Sequence, residues 1–352
     1  MMISSPHAHD RSSVERTMYL VCFALLPATL LGFYLFGWPA INLWLLCIAA
    51  ALAGELLCLS LAGKRLSFAL DGSAILTGWI IAMTLPPWGP WWLAVTGTLF
   101  AVVIGKHLYG GLGQNLFNPA MLTRVGLLIS FPLEMTTWAN VNPITSATAP
   151  GFIEGLRITF VAAPLTDALT GATALGHVKT ALTASIPSSV SVAEIFTLKD
   201  ALTGFTRGSL GETSALLMLA GGVFLIWKKI IQWYIPVALI VTVAVMATLF
   251  NSIDSERYAP AIYHLLSGAL MFGAFFIATD PVTSPSNVKG QLIYGAGIGL
   301  VTFTIRTWGS FPEAIGFAVL FMNALTPIID RYFRPRIYGY NYKGTPLKAA
   351  KE

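Results

Sequence analysis

Ten apolar runs, separated by short polar breaks and one long one, leave this chain few folds to choose from. They cover roughly residues 18–36, 39–62, 70–88, 91–106, 118–135, 213–228, 233–250, 262–279, 290–308 and 313–330. A helix crossing the hydrocarbon core of a bilayer needs about 20 apolar residues, and several of these runs are shorter. None shows the strict alternation of a barrel strand. Only 11% of the residues are charged, 55% are hydrophobic, and the mean hydropathy is +0.71. A soluble domain carries about 25% charged residues, so a water-facing surface cannot be built from this composition. In lipid, only helices and closed barrels satisfy their own backbone. The expected fold is therefore an all-α polytopic membrane protein with about ten transmembrane helices.

The net charge of +5 does not point to nucleic acid, because the basic residues stand at the ends of apolar runs, where they report topology. With the N-terminus inside, the cytoplasmic breaks hold Arg11, Arg16, Lys64, Arg65, Lys106, Lys228, Lys229 and Lys289, and the tail adds six more, giving fourteen of 21. The short breaks on the opposite side hold only Arg257. This predicts a cytoplasmic N-terminus (1–17), a first membrane half (18–135), an extracytoplasmic segment (136–212), a second half (213–330) and a basic cytoplasmic tail (331–352). Five runs per half would put the two halves in opposite orientations. A faint repeat agrees: "SAILTGWIIAMTLPP" at 73–87 resembles "SGALMFGAFFIATDP" at 267–281, and Asn118-Pro119 has a loose counterpart in "NALTP" at 323–327. Inverted halves with broken helices are a common way to build a transporter site, although Gly/Ala-rich helix faces also look alike by composition.

Cys22, Cys47 and Cys58 all lie inside apolar runs with no CxxC spacing, which fits small buried side chains better than cluster or haem ligands. No metal-ligand pattern occurs. The polar N-terminus has no apolar core of a signal peptide. Tryptophans at 88–92, with Trp233 and Trp308, fit an interfacial belt, and His264 is expected at an outer helix edge. Glu55, Arg124, Asp280 and Arg306 lie within or near the runs, where ionisable residues are candidates for a role. Arg124 is also expected to find a buried acid or carbonyl.

Two nearly identical heptads stand in the long polar segment: "DALTGAT" at 167–173 and "DALTGFT" at 200–206. The first offers the Thr173 hydroxyl between small neighbours, Gly171 and Ala172, with Asp167 six residues upstream. Small neighbours admit a bulky partner, glycine permits a tight turn, and an acid can help position a metal-bound phosphate donor. The same residues also suit an ordinary Asp-initiated turn.

D-x-x-T-G-A-T resembles the acceptor motif of a periplasmic flavin transferase, with Asp167, Thr170, Gly171, Ala172 and Thr173 matching position for position. That resemblance implies transfer of FMN from FAD, with Mg²⁺, onto the Thr173 hydroxyl as a phosphodiester with release of AMP, making the chain a phosphoprotein. The second copy carries Phe205 where the motif has alanine, so Thr206 is expected to stay free. Further stretches extend the resemblance along the chain: "SSPHAH" at 4–9, "LYGGLGQNLFNPAM" at 108–121, "GSLGETS" at 208–214, "FIATDPVTSP" at 276–285 and "RPRIYGY" at 334–340. Together they are similar to the D-subunit family of Rnf complexes, bacterial ion-translocating ferredoxin:NAD⁺ oxidoreductases. The homologous quinone-reducing B subunit of the sodium-pumping NADH:quinone oxidoreductase usually has a longer N-terminal extension.

The resemblance implies a multi-pass subunit of the bacterial inner membrane, both termini cytoplasmic, carrying covalent FMN on the periplasmic side and helping couple electron flow to Na⁺ or H⁺ translocation. It implies a redox-driven translocase that is inactive alone, partnered by A-, B-, C-, E- and G-type subunits and, during maturation, by the flavin transferase. It also leaves room for a second, non-covalent flavin such as riboflavin. "GSLGETS" (Ser209, Gly211, Thr213) can present a helix start to phosphate or flavin, or simply cap a helix. "LYGGLGQNLFNP", with Asn115 and Asn118, and Asp280 can serve a second flavin or a cation route; for the first, a plain turn at a re-entrant helix is the alternative. A small-solute channel of the same ten-helix type is the competing function.

Overall fold

In a computed structural model of the chain, residues 13–161, 170–184 and 186–333 are described. The chain opens with two long helices, α1 (Val14–Phe36) and α2 (Trp38–Leu61), turned at Gly37, whose φ of +69° an L side chain rarely adopts. Ser13 caps α1 by accepting a hydrogen bond from the Arg16 amide at 3.1 Å. α3 (Ser73–Thr84) is short; α4 (Trp91–Leu99) runs on as a π-helical stretch over Phe100–Lys106. α5 (Pro119–Ser130) starts at Asn118, whose Oδ1 accepts from the amides of Ala120 and Met121 at 3.1 and 3.2 Å, with proline in the first helical position. The short α6 (Pro132–Thr136) follows.

The segment between the two helix groups holds β1 (Trp138–Ala139), α7 (Phe152–Val161), β2 (Thr170–Gly171), α8 (Ala174–Thr183), α9 (Ser188–Ile195) and α10 (Leu198–Thr203). The second group is α11 (Ala215–Trp227), α12 (Tyr234–Ile253), α13 (Ala261–Leu266), α14 (Leu270–Phe272) with a π-helical continuation over Gly273–Ile277, α15 (Val288–Trp308) and α16 (Ile315–Tyr332). Among the described residues, five helices are long and apolar enough to cross a membrane: α1, α2, the continuous stretch Trp91–Tyr109, α12 and α15. α3, α5 and α11 are apolar but shorter.

Packing follows a repeated scheme. α2 lies against α4 and α4 against α5; α12 lies against α15 and α15 against α16. Across the groups, α1 packs on α11 and α5 on α16. Glycine sets the closeness of these contacts. A β carbon at Gly295 would stand 2.6 Å from the Ile235 carbonyl oxygen, and one at Gly299 would stand 2.7 Å from that of Leu239, so α12 and α15 meet backbone to backbone. Gly221 meets Ala24 of α1 in the same way.

Several expectations are corrected here. The run 262–279 is not one helix: it breaks after Leu266, with Gly268 at φ +67°. Arg306, in the last turn of α15, donates to the freed carbonyls of His264 (2.6 Å) and Ser267 (3.1 Å). His264 is buried against Phe303 rather than lying at a helix edge. Trp88 is likewise buried, donating to the Phe36 carbonyl at 2.9 Å, while Trp91, Trp233 and Trp308 are exposed as a belt requires. Lys106 is no loop charge: it is buried and donates to Glu55 and to Ser73 Oγ, both at 2.8 Å. Cys22 and Cys47 are buried as expected, whereas Cys58 is partly exposed.

Gly295→Ala should destabilise the chain by roughly 1–3 kcal/mol through overpacking. Gly126→Ala should be neutral or better, because its nearest neighbour, Phe100, would be at 3.9 Å. Thermal unfolding in detergent, followed by tryptophan fluorescence, compares the two.

Candidate functional site at the first heptad

Thr173 stands where a two-residue ladder meets a helix. β1 and β2 pair antiparallel, Trp138 opposite Gly171 and Ala139 opposite Thr170, and the chain then turns into α8 with Thr173 as its N-cap. Thr173 Oγ1 accepts from the Gly176 amide at 3.2 Å. Small neighbours make this possible: Gly176 leaves the hydroxyl uncrowded, and Gly171 lets the Arg207 guanidinium lie where a β carbon would otherwise stand. Thr173 is 4% exposed, and its side chain lines a cavity of about 160 Å³ walled by Leu128, Trp138, Phe311, Pro312 and Glu313. Ala172 lines the same cavity. Asp167 lies outside the described residues, as does the Thr170 side chain.

A phosphate ester at Oγ1 fits this arrangement. The cap uses a lone pair of the oxygen, while esterification replaces its proton, so both can coexist. The start of a helix carries unpaired amides and the positive end of the dipole, which suit an anion, and Arg207 adds a full positive charge beside the ladder. The rings of Trp138 and Phe311 offer apolar faces for a flat heterocycle.

The second heptad folds differently despite six shared positions. Asp200 sits in the first turn of α10, its carboxylate accepting from the Thr197 hydroxyl at 2.6 Å, and Gly204 closes that helix at φ +100°. Thr206 caps nothing; its hydroxyl reaches the Thr213 carbonyl at 3.5 Å.

Behind the Thr173 cavity lies an ionic cluster. Arg124 of α5 pairs with Glu313, just before α16, and its guanidinium lies 5.7 Å from the centre of the Trp138 ring. A smaller enclosed space is lined by Arg124, Ser209, Glu212 and Glu313, so Glu313 and Leu128 border both cavities. Glu212 Oε1 accepts from Ser209 Oγ at 2.8 Å. A β carbon at Gly208 would come within 2.7 Å of Glu212 Oε2, so this glycine admits the carboxyl. Burial, and then the neighbouring Glu313 carboxylate, push the Glu212 carboxyl well above the ordinary carboxylate range.

The "GSLGETS" residues divide their roles. Ser214 caps α11, accepting from the Leu217 amide at 3.2 Å; Thr213 donates to the Leu210 carbonyl at 3.0 Å, and Gly211 packs against Met83 and Phe272. Of the expected trio, Ser209 faces the ionic cluster, while none lines the Thr173 cavity.

On the other side of the bundle, the remaining candidates converge. Asn115, Asn118 and Asp280 line one largely apolar cavity of about 120 Å³, together with Ser73, Lys106 and Thr279. Asp280 is tied into its own turn, accepting from the Val282 amide at 3.3 Å and the Thr283 hydroxyl at 3.1 Å. The sequence alone did not single out Arg207, Glu212 or Glu313. The one available signal was an acid placed immediately before each of two apolar helices.

The family model of the NQR2, RnfD, RnfE family matches residues 1–339. The chain belongs to this family. It is 57% identical over 341 residues to the D subunit of the ion-translocating oxidoreductase complex of Stutzerimonas stutzeri, covering 97% of this chain and 96% of the relative. Against the equivalent chain of Halorhodospira halophila it is 47% identical over 352 residues, covering 100% and 99%. For that of Cronobacter sakazakii the figures are 43% over 350 residues, 96% and 98%. Family membership thus bears out the resemblance carried by the sequence motifs.

Removing one partner of the Arg124–Glu313 pair leaves a buried, uncompensated charge. Arg124→Met should therefore cost about 3–5 kcal/mol, and adding Glu313→Leu should recover most of it. Unfolding midpoints of the two single variants and the double variant read this coupling directly.

Proposed function

We propose that this chain is a membrane subunit of an ion-translocating electron-transport complex and that it carries FMN esterified to Thr173. The observation supporting this most is the position of the Thr173 hydroxyl. Within D-x-x-T-G-A-T it caps a helix and borders a cavity walled by two aromatic rings, two residues after Gly171, against which Arg207 lies. The relatives named as D subunits support the D-type role in such a complex.

The cofactor, when bound, supplies one- and two-electron transfer at its ring. The chain's own residues do the rest. Thr173 is the tether, the α8 amides and Arg207 offset the phosphate charge, and Leu128, Trp138 and Phe311 keep water from the ring. Ten spans in two inverted halves form the scaffold, with both termini in the cytoplasm of a bacterial cell, residues 136–212 in the periplasm, and a flavin transferase acting there during maturation. The recurring pairings of α2 with α4 and α12 with α15 support the inverted repeat. The cavity bordered by Asn115, Asn118 and Asp280 would serve a second, non-covalent flavin or the cation, Na⁺ or H⁺. Electrons pass between ferredoxin and NAD through partner subunits of the A, B, C, E and G types, because this chain has neither cluster ligands nor a nucleotide-binding fingerprint of its own.

Thr173→Ala should abolish the ultraviolet fluorescence of the denatured chain in a gel and remove a helix cap worth about 1 kcal/mol. Thr173→Ser should retain some flavin, and Thr206→Ala should retain all of it. Peptide mass spectrometry decides the site: FMN mass on the peptide containing Thr206, with Thr173 unmodified, would contradict the assignment.

A further inference from the structure

The Arg124–Glu313–Glu212 cluster is unlike the other buried charges of the chain. Lys106 and Glu55 form a pair at 2.8 Å, and Arg306 is spent on two backbone carbonyls. In the outer cluster, by contrast, two carboxyls meet one directly paired guanidinium. Glu313 takes Arg124, and Glu212 is left with a single neutral donor, Ser209 Oγ, at 2.8 Å. Glu212 is 8% exposed and sits in an enclosed space of about 30 Å³. Its other oxygen occupies the space that a β carbon at Gly208 would crowd, 2.7 Å away. The charged groups acting on it are Glu313, Arg124 and, from the end of α15, Arg306.

This group shares a wall with the Thr173 cavity, since Glu313 and Leu128 line both. A charge change in one space is therefore felt in the other across poorly screened protein. A carboxyl without a direct cationic partner is the member of such a cluster that most readily takes or loses a proton: burial raises the proton affinity of both carboxyls, but only Glu313 has the Arg124 guanidinium paired directly against it.

We propose that Glu212 is a redox-linked proton acceptor for the outer flavin site. It binds a proton from the extracytoplasmic water when the flavin on Thr173 is reduced and releases it on reoxidation. This rests on the attachment of FMN at Thr173. Electrons pass from a low-potential one-electron donor, which is oxidised, to the flavin, which is reduced and takes protons of its own at its ring nitrogens; one further proton from the outer water converts the Glu212 carboxylate to a carboxyl. Glu212 is then a positioning residue that sets how charge is offset near the ring. The direction of the pH effect follows. Burial already raises the proton affinity of Glu212, and added negative charge raises it further. Proton uptake by Glu212 is thus confined to the pH window between its oxidised-state and reduced-state values, above the ordinary carboxylate range. Below that window Glu212 is protonated in both states and takes up nothing.

The test uses the flavinylated chain within its purified complex, reduced with dithionite and reoxidised with ferricyanide. Covalent flavin is first verified by fluorescence of the denatured chain. The pH dependence of the flavin midpoint potential then counts protons per electron pair. Wild type should gain up to one proton across the window, Glu212→Gln should lose that gain, Glu212→Asp should restore it with a shifted window, and Glu256→Gln, at the exposed outer loop, should behave as wild type. Reduced-minus-oxidised infrared spectra should show a protonated-carboxyl band that moves on ¹³C-glutamate labelling of the wild type and vanishes in Glu212→Gln. The labelled wild type alone is decisive even if the variant fails to insert. Covalent flavin with no isotope-sensitive carboxyl band, or with the proton gain intact in Glu212→Gln, overturns this proposal while leaving the attachment standing. Absence of covalent flavin from wild type overturns both.

Discussion

The buried pairing of Arg124 with Glu313 joins the two helix groups at the end of the bundle that carries Thr173. It ties α5 of the first helix group to the entrance of α16 in the second. The same guanidinium lies against Trp138, Trp138 stands opposite Gly171 in the two-residue ladder, and two residues later Thr173 begins α8. The threonine is thus fixed relative to both helix groups through Arg124, Trp138 and Gly171 in turn. A ladder of two residue pairs has little stability alone; it persists here because the bundle supports one side of it.

Elsewhere the same physics, the absence of water around the apolar helices, decides where charge can go. Lys106 in the π-helical end of α4 is neutralised by Glu55 of α2, with His107 at 3.0 Å from the same carboxylate. Arg306 occupies the carbonyls released where α13 stops. Lys106 thus serves another charge and Arg306 a break in a helix, as intramembrane polar groups generally must. Glycine has the complementary effect, since at Gly295, Gly299 and Gly221 its missing side chain brings helices into backbone contact.

Much of this was legible in the sequence, for identifiable reasons. Apolar runs located the helices because bilayer thickness fixes their length, and Asn118-Pro119 announced the start of α5 through its cap chemistry. The expectation that Arg124 would find a buried acid also held, although the sequence could not say which, since Glu313 is 189 residues away. The break at Gly268 was invisible, because hydropathy reads composition and the carbonyls are satisfied by Arg306, 39 residues or more along the chain. The burial of Lys106 was hidden for a similar reason: its partner, Glu55, lies on another helix. The two heptads show the limit most sharply. The described residues 170–173 of the first copy form a strand-to-helix turn, whereas the second copy forms a helix end, because Trp138 pairs with the first copy whereas Thr197 caps the second.

The central claim is that the Thr173 cavity is the seat of a flavin covalently joined to this chain. A density map of the assembled complex, at a resolution that shows side chains, tests it most directly. Continuous density should run from Thr173 Oγ1 into the cavity and end in a flat ring near Trp138 and Phe311, with Thr206 bare. An empty cavity beside a well-resolved, unmodified Thr173, or density attached to Thr206 instead, would contradict it.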